Sequence, residues 1–371
     1  MPGTGLVSML DANRTDDLRR MFTLFLRVPD SGGKDALRIA LRESVEARGK
    51  GINDGVASAS ADAGPGIDGE DERDPKGKGK AKPPSAQATA LAQALRWVQD
   101  VLDLKDKFDV ILDTAFNGDK QVQASINEVS HQLLAKLTPQ AFQSFINANN
   151  RSPEFLSLFI DEHLKKGAKA KTDEEIDEAL EKTIMLFRFL SDKDKFERYY
   201  KNHLARRLLY GRSASDDAER GMVAKLKVEM GFQFTQKLEG MFTDMRLSVD
   251  SAKSFQPFLA RNGGLPFELT VNVLTASYWP QPIVATSTCS FGGQLKEATE
   301  LYQRYYDSRH SGRRLTWQAN LGTADVRVRF KARSHDLNVS TQALVVLLLF
   351  EDVKEDETLS YSVSLMHRHV N

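Results

Sequence analysis

Apolar residues recur three and four positions apart over most of the chain up to about Leu259, and after that the period changes. The early part of the pattern includes Leu18, Met21 and Phe22, and the pattern resumes from about Leu91. Spacings of three and four place side chains on one face of a helix, so the sequence predicts a mainly α-helical chain. Because the helices are long and their connections short, we expect them to form an antiparallel bundle.

Capping residues mark where several of these helices begin and end. Thr172 with Glu175 has the spacing of a capping box, in which each side chain accepts from the backbone of the other residue. Further starts are predicted at Ser191, Ser215 and Thr235, and further ends at Gly211 and Gly231.

Residues 51–88 interrupt the helical pattern. They hold almost no large apolar side chain and run from an acidic block into the basic stretch Lys76–Lys82. Such a composition cannot bury enough apolar surface to offset the entropy of ordering, so it predicts a disordered insertion. For the basic stretch, a solvated loop is preferred over a nuclear-import or nucleic-acid patch.

Beyond Leu259 apolar and polar residues alternate, as they do in a half-buried strand. Phe267, Leu269, Val271 and Val273 predict a first strand. A helix is expected over 294–308, followed by strands over 314–319 and 324–330. The second of these places Ala324, Val326, Val328 and Phe330 on one face. Another helix is expected after Val339, so a small α+β unit follows the bundle.

Composition and motifs argue against several classes of function. The 51 basic residues equal the 51 acidic ones, which disfavours a general nucleic-acid binder. The apolar run Ala343–Phe350 is too short to cross a membrane. The single Cys289 forms no internal disulfide, which fits the cytoplasm and nucleus. We recognise no catalytic or metal-binding motif, so we expect a non-enzymatic chain without cofactor.

Two segments, 196–212 and 309–317, hold more basic and aromatic residues than a core requires. On the predicted helix of the first segment, a basic outer face is expected from Arg198, Lys201, Arg206 and Arg207. A docking surface for an acidic partner and an ordinary solvated helix face both explain this pattern.

The same segments carry a family resemblance. FERYYKNHLARRLLYGRSASDDAERGMVAKLKVEMGFQFTQKLEGMFTDM at 196–245 is similar to the cullin homology region. LTVNVLTASYWP (269–280) and YYDSRHSGRRLTWQANLGTADV (305–326) continue the likeness in order. RSPEFLSLFIDEHLKKGAK (151–169) resembles the junction of a cullin stalk with its C-terminal part.

The resemblance implies a domain plan. Residues 1–165 would form a third cullin-repeat-like stalk, and residues 166–262 a helical bundle. An α/β subdomain would follow over 263–338, and an incomplete winged-helix start with a divergent tail over 339–371.

It also implies a function. Cullins are non-catalytic scaffolds of RING ubiquitin ligases, and they contact the ubiquitin-conjugating enzyme only indirectly. A strand of a RING-box protein would add to the sheet of the α/β region, a form of β-augmentation. The candidate interface residues are Leu269, Val271, Val273, Leu315, Trp317, Val326 and Val328. Which strand offers the open edge is not decided by the sequence.

Compared with the cullin family, this sequence shows no counterpart of the first two stalk repeats or of the end of the winged-helix domain. We therefore expect no binding of BTB-domain adaptors. Two alternatives stay open: a helical protein-interaction module without ligase activity, and a non-functional truncated gene product.

Overall fold

The computed structural model describes residues 5–27, 32–61, 86–111, 113–114, 139–167, 172–280, 291–329 and 333–350. The predicted mainly helical fold with a small sheet is confirmed. In chain order the helices are α1 (Leu6–Asp11), α2 (Thr15–Arg27), α3 (Gly33–Ala61), α4 (Ala86–Ile111), α5 (residues 139–148), α6 (Ser152–Leu164), α7 (Asp173–Phe187), α8 (Lys193–Leu209), α9 (Asp216–Met230), α10 (Phe232–Arg261), α11 (Gly293–Arg309) and α12 (Thr341–Leu348). The strands are β1 (Thr323–Arg329) and β2 (Ser334–Ser340).

The chain packs as two compact units. The first comprises Met1–His203 with Ser213–Glu229, and the second comprises Leu204–Arg212 with Met230–Asn371. The domain boundaries at residues 165, 262 and 338 stay predictions.

Helix α4 is the centre of the first unit, where it packs on α3, α6 and α7. Many of its apolar side chains, among them Trp97, Val98 and Phe108, are almost fully buried. The Trp97 ring lies 5.6 Å from the ring of Phe155 on α6, measured between centroids. The helical spacing seen in the sequence from Leu91 onwards therefore forms this core face.

A single amide side chain ties α3 to this core. The Asn53 side-chain oxygen accepts from the Trp97 indole N–H at 2.8 Å, and the Asn53 amide nitrogen donates to the Phe145 carbonyl at 2.9 Å. One turn earlier, a Cβ at Gly49 would meet the Phe145 ring, so only glycine allows this approach.

These contacts correct the expected disordered insertion at residues 51–88. Residues 51–61 continue α3, and residues 86–88 already belong to α4. The composition argument fails at Asn53 because a polar side chain there is held by tertiary hydrogen bonds. Residues 62–85, including Lys76–Lys82, lie outside the described residues.

Most of the predicted helix boundaries are confirmed. The capping box of Thr172 and Glu175 is present, and the Ser215 hydroxyl accepts from the first backbone N–H groups of α9. Gly211 and Gly231 have φ angles of 59° and 80°, the left-handed region that glycine enters without strain.

Two predicted starts are wrong. Helix α8 begins at Lys193, because Asp192 accepts from the Lys195 N–H at 3.2 Å, while the Ser191 hydroxyl bonds to Asn147. Thr235 is buried inside α10, which begins three residues earlier at Phe232.

In the second unit α10 packs on α11, and a hairpin follows. Strands β1 and β2 pair antiparallel from Thr323 opposite Ser340 to Arg329 opposite Ser334. The predicted strand at 324–330 is confirmed as β1 up to Arg329, and Phe330 lies outside the described residues. β2 was not predicted, because its sequence SHDLNVS is mostly polar. The predicted helix after Val339 is α12, capped by Ser340.

The two other predicted strands are wrong as hydrogen-bonded elements. No ladder is assigned over 267–273 or 314–318, and residues 319–321 form a 3₁₀ turn. Residues 265–273 nevertheless keep the predicted alternation of buried and exposed side chains.

Replacing Asn53 by alanine tests the link between α3 and the core. Asn53→Ala leaves the Trp97 indole N–H and the Phe145 carbonyl without their partner, so we expect the free energy of unfolding to fall by about 1–3 kcal/mol. Urea denaturation followed by tryptophan fluorescence measures it. The control Lys50→Ala alters an exposed side chain of the same helix and should stay within about 0.5 kcal/mol of the unchanged chain. Equal stability of both variants would contradict the assigned link.

Candidate interaction surface

An extended segment of the second unit, residues 265–273, lies with one face on a cluster of aromatic side chains. Odd-numbered side chains are half-buried and even-numbered ones are exposed. Leu265, Leu269, Val271 and Val273 pack against the cluster. A period of two in burial is that of an extended chain with one covered face.

The aromatic cluster is built by α10 and α11. Its buried members are Phe255, Leu301, Tyr302, Tyr305 and Tyr306. The Phe255 ring centroid lies 5.0 Å from that of Tyr302 and 5.1 Å from that of Tyr305, distances of favourable ring packing. The cluster therefore forms an apolar surface on which the extended segment lies, and we call this surface the aromatic floor.

Two phenol groups of this cluster are hydrogen-bonded to α10. The Tyr302 hydroxyl lies 3.0 Å from the Ser251 hydroxyl, and the Tyr305 hydroxyl donates to the Ser251 carbonyl at 3.2 Å. Burial raises the pKa of the Tyr302 phenol, because the ionised form loses hydration. Tyr302 thus stays neutral and can donate or accept at this point.

A second stretch of chain reaches the same cluster. Leu315 and Trp317 pack against it, and the Trp317 ring meets the Tyr302 ring edge-on with a centroid distance of 6.0 Å. Five of the seven predicted interface residues are therefore brought together, namely Leu269, Val271, Val273, Leu315 and Trp317.

The remaining two, Val326 and Val328, belong to the hairpin and not to the aromatic cluster. Val326 lies opposite Leu337 and Val328 opposite His335 in the β1–β2 register. Helix α12 packs against both strands. These two valines thus belong to the hairpin, while the other five candidates pack against the aromatic cluster.

The backbone of residues 265–272 lacks a ladder. Among the described residues, no hydrogen bond joins a backbone N–H or C=O of this stretch to another segment. An extended segment whose backbone groups are not engaged by another strand can accept a foreign strand by β-augmentation.

The end of the segment is anchored to α10 by a buried carboxylate. Asp244 accepts from the Thr275 N–H at 2.7 Å, the Thr275 hydroxyl at 2.9 Å and the Trp279 indole N–H at 2.9 Å. Gly240 on the same helix face lies against the Tyr278 ring, where a Cβ would come within 2.5 Å. Sequence reasoning missed these residues.

A signal for the anchor was nevertheless present. Gly240, Asp244 and Ser248 are spaced by four and share one face of a long helix. Small and polar residues on an otherwise inward face indicate close approach of another backbone, but the sequence does not say which backbone approaches.

The predicted basic face on α8 is partly wrong. Arg207 is only 1% exposed, so it does not belong to an outer surface. It shares a helix face with the buried Tyr200 and Leu204, at spacings of seven and three. The other three residues are exposed or half-buried, as predicted: Arg198, Lys201 and Arg206.

Neither a metal centre nor a membrane span is found within the described ranges. No three His, Cys, Asp or Glu side chains there are grouped so as to hold a metal ion. No helix in those ranges is long and apolar enough to cross a bilayer.

Comparison with known protein families finds two domain families whose models match this chain. The cullin alpha solenoid domain matches residues 2–252, and the cullin alpha+beta domain matches residues 273–368. The chain belongs to the cullin family.

Curated relatives agree with this assignment. Cullin-3 of Dictyostelium discoideum is 43% identical over 95% of this chain and 40% of its own length. Cullin-3A of Arabidopsis thaliana is 40% identical over 97% of this chain and 42% of its own length. Cullin-3 of Schizosaccharomyces pombe is 38% identical over 96% and 42%. The chain thus spans about two fifths of the length of these relatives.

Removing the Asp244 carboxylate tests the anchor. Asp244→Ala leaves the buried Trp279 indole N–H and two donors of Thr275 without their acceptor, so we expect the free energy of unfolding to fall by about 3 kcal/mol. Thermal or urea unfolding measures the change. The control Asp250→Ala removes an exposed carboxylate from the same helix and should change stability by less than about 0.5 kcal/mol. An Asp244→Ala chain as stable as the control would rule out the anchor.

Proposed function

We propose that this cullin chain acts as a non-catalytic scaffold in a RING ubiquitin ligase, with the cytoplasm and nucleus as its compartments. In this role residues 265–273, together with Leu315 and Trp317, receive a strand of a RING-box protein. Membership of the cullin family supports the ligase role. The observation that carries the binding site is the extended segment whose face is buried and whose backbone lacks an in-chain ladder among the described residues.

The physical basis of binding is the completion of hydrogen bonds. A partner strand would satisfy backbone N–H and C=O groups of residues 265–272 that have no hydrogen-bonded partner in another segment among the described residues. The aromatic floor holds the segment in place beforehand, so less conformational entropy is lost on binding. Apolar partner side chains on the covered face could also extend the contact with the floor.

The contribution to ubiquitin transfer is positional. A scaffold that holds a RING-box protein fixes the conjugating enzyme that the RING protein binds, and raises its effective concentration near a substrate. The chain then contacts the conjugating enzyme only indirectly. No covalent step is assigned to its own side chains, and no cofactor is required.

Substitution of an inward-facing residue tests the binding site. Val271→Asp places a carboxylate against the aromatic floor, which displaces the segment or leaves a charge unhydrated. We expect binding to a recombinant RING-box protein to weaken by at least about tenfold, measured by isothermal titration calorimetry.

A matched control lies on the hairpin. Arg327 is largely exposed and pairs with Asp336 across the strands, a surface ion pair that contributes little to stability. Arg327→Ala should therefore bind the RING-box protein as the unchanged chain does. If Val271→Asp bound equally well, the proposed site would be wrong; if the unchanged chain did not bind at all, the proposed function would be wrong.

A further inference from the structure

The turn that follows α11 carries a basic surface that the proposed function does not use. Arg309, Arg313 and Arg314 are exposed, and so are the residues between them. The chain as a whole has no net charge, so three guanidinium groups this close in sequence are a local excess. The helix dipole accounts for Arg309 in the last turn of α11, but not for the two arginines beyond the helix. We call residues 309–314 the arginine turn.

The backbone of the arginine turn brings its two arms together. The chain leaves α11 at His310, which is extended, and turns at Ser311 and Gly312. Gly312 has a φ of 78°, the value that the third residue of a type II turn requires and that glycine adopts without strain. A turn of this kind brings the Cα atoms of its first and fourth residues, His310 and Arg313, within about 7 Å. The arginines that flank these two residues therefore lie on the two arms of one turn.

One of the three guanidinium groups is held in place by the aromatic floor. The guanidinium carbon of Arg309 lies 5.3 Å from the centroid of the Tyr305 ring, a distance typical of a cation–π contact. Tyr305 is itself buried, and its hydroxyl donates to the Ser251 carbonyl. Arg309 is therefore ordered before a ligand arrives, so less side-chain entropy is lost on binding.

The neighbouring surface indicates which kind of anion fits. Earlier turns of α11 expose the carboxylates of Glu297, Glu300 and Asp307, which repel a long acidic peptide lying along the helix. A single compact dianion at the turn avoids them. Arginine binds phosphate oxygens through two parallel N–H donors, and clusters of arginine recognise phosphorylated segments.

We propose that the arginine turn binds a phosphorylated serine or threonine in a segment of a partner protein. The guanidinium groups of Arg309, Arg313 and Arg314 donate to the phosphate oxygens. This site lies beyond the proposed function, and binding there does not require a RING-box protein.

Fluorescence anisotropy with the full chain and a labelled, short glycine-rich peptide tests the site. We expect the peptide with one phosphoserine to bind at least about tenfold more tightly than the same peptide with serine. Added salt should weaken the binding, because exposed charges are screened. Equal affinity for the two peptides would overturn the proposal, and would leave the proposed RING-box binding untouched.

Charge reversal locates the binding on the chain. Arg313→Glu combined with Arg314→Glu should weaken phosphopeptide binding at least about tenfold. The control, Arg246→Glu combined with Lys253→Glu, makes the same change in net charge at exposed positions of α10 and should bind as the unchanged chain does. Thermal unfolding shows that both variants are folded. Equal affinity of the two folded variants would contradict the assignment, and Arg313→Ala with Arg314→Ala replaces the first variant if charge reversal prevents folding.

The role of Arg309 has its own readout. Arg309→Lys keeps the charge but removes the planar group that contacts the Tyr305 ring and donates in pairs. We expect phosphopeptide binding to weaken about threefold to tenfold. Unchanged affinity would show that charge alone is read at this position, against the paired donation proposed for it.

Two further probes separate the source of the anion. A peptide in which several glutamates replace the phosphoserine should bind at least about tenfold more weakly than the phosphopeptide, and vesicles containing phosphatidylserine should not compete with the phosphopeptide. Equal binding of the glutamate peptide would assign the turn to an acidic partner instead. Displacement of the phosphopeptide by the vesicles would assign it to a membrane surface, and either result would overturn the proposal.

Discussion

The contact between an extended segment and an aromatic helix pair is the constraint on which the second unit depends. Residues 265–273 are held by side-chain burial on Phe255, Tyr302 and Tyr305, and within the described ranges no backbone hydrogen bond joins residues 265–272 to another segment. Apolar burial is non-directional, so it can fix the place of a chain without using its backbone groups. This separation of packing from hydrogen bonding lets the segment be ordered and still be ready for a partner.

Polar anchors supply the direction that burial lacks. Asp244 and Ser248 bind the end of the segment to α10, and the Asn53 side chain binds α3 to the core of the first unit. In each case a polar side chain on an inward helix face satisfies backbone or indole groups of another element. Such bonds are few, but breaking one leaves buried donors unsatisfied. They therefore specify the register in which the apolar faces meet.

Much of this architecture could be predicted because it is local. The capping box at Thr172, the left-handed glycines at Gly211 and Gly231, and the alternation in β1 each depend on neighbours in the sequence. The family likeness grouped seven interface candidates, and the structure brings five of them onto the aromatic cluster while Val326 and Val328 lie in the hairpin.

Long-range contacts account for what could not be predicted. Residues 51–61 have the composition of a disordered loop, yet Asn53 meets Trp97 and Phe145 far along the chain. Strand β2 is polar and is defined by its pairing with β1. Arg207 could have been assigned to the inner face of α8 from its spacing to Leu204, but its charge suggested an outer position. The spacing of Asp244 with Gly240 and Ser248 indicated a contact face on the helix, but the residues that Asp244 binds, Thr275 and Trp279, lie in another segment.

The decisive measurement is a structure of this chain bound to a RING-box protein, determined by cryo-electron microscopy or crystallography. We expect a strand of the partner beside residues 265–273, with main-chain hydrogen bonds along one edge and the aromatic floor unchanged. A RING-box protein bound elsewhere, or this segment paired with a strand of its own chain in the complex, would contradict it.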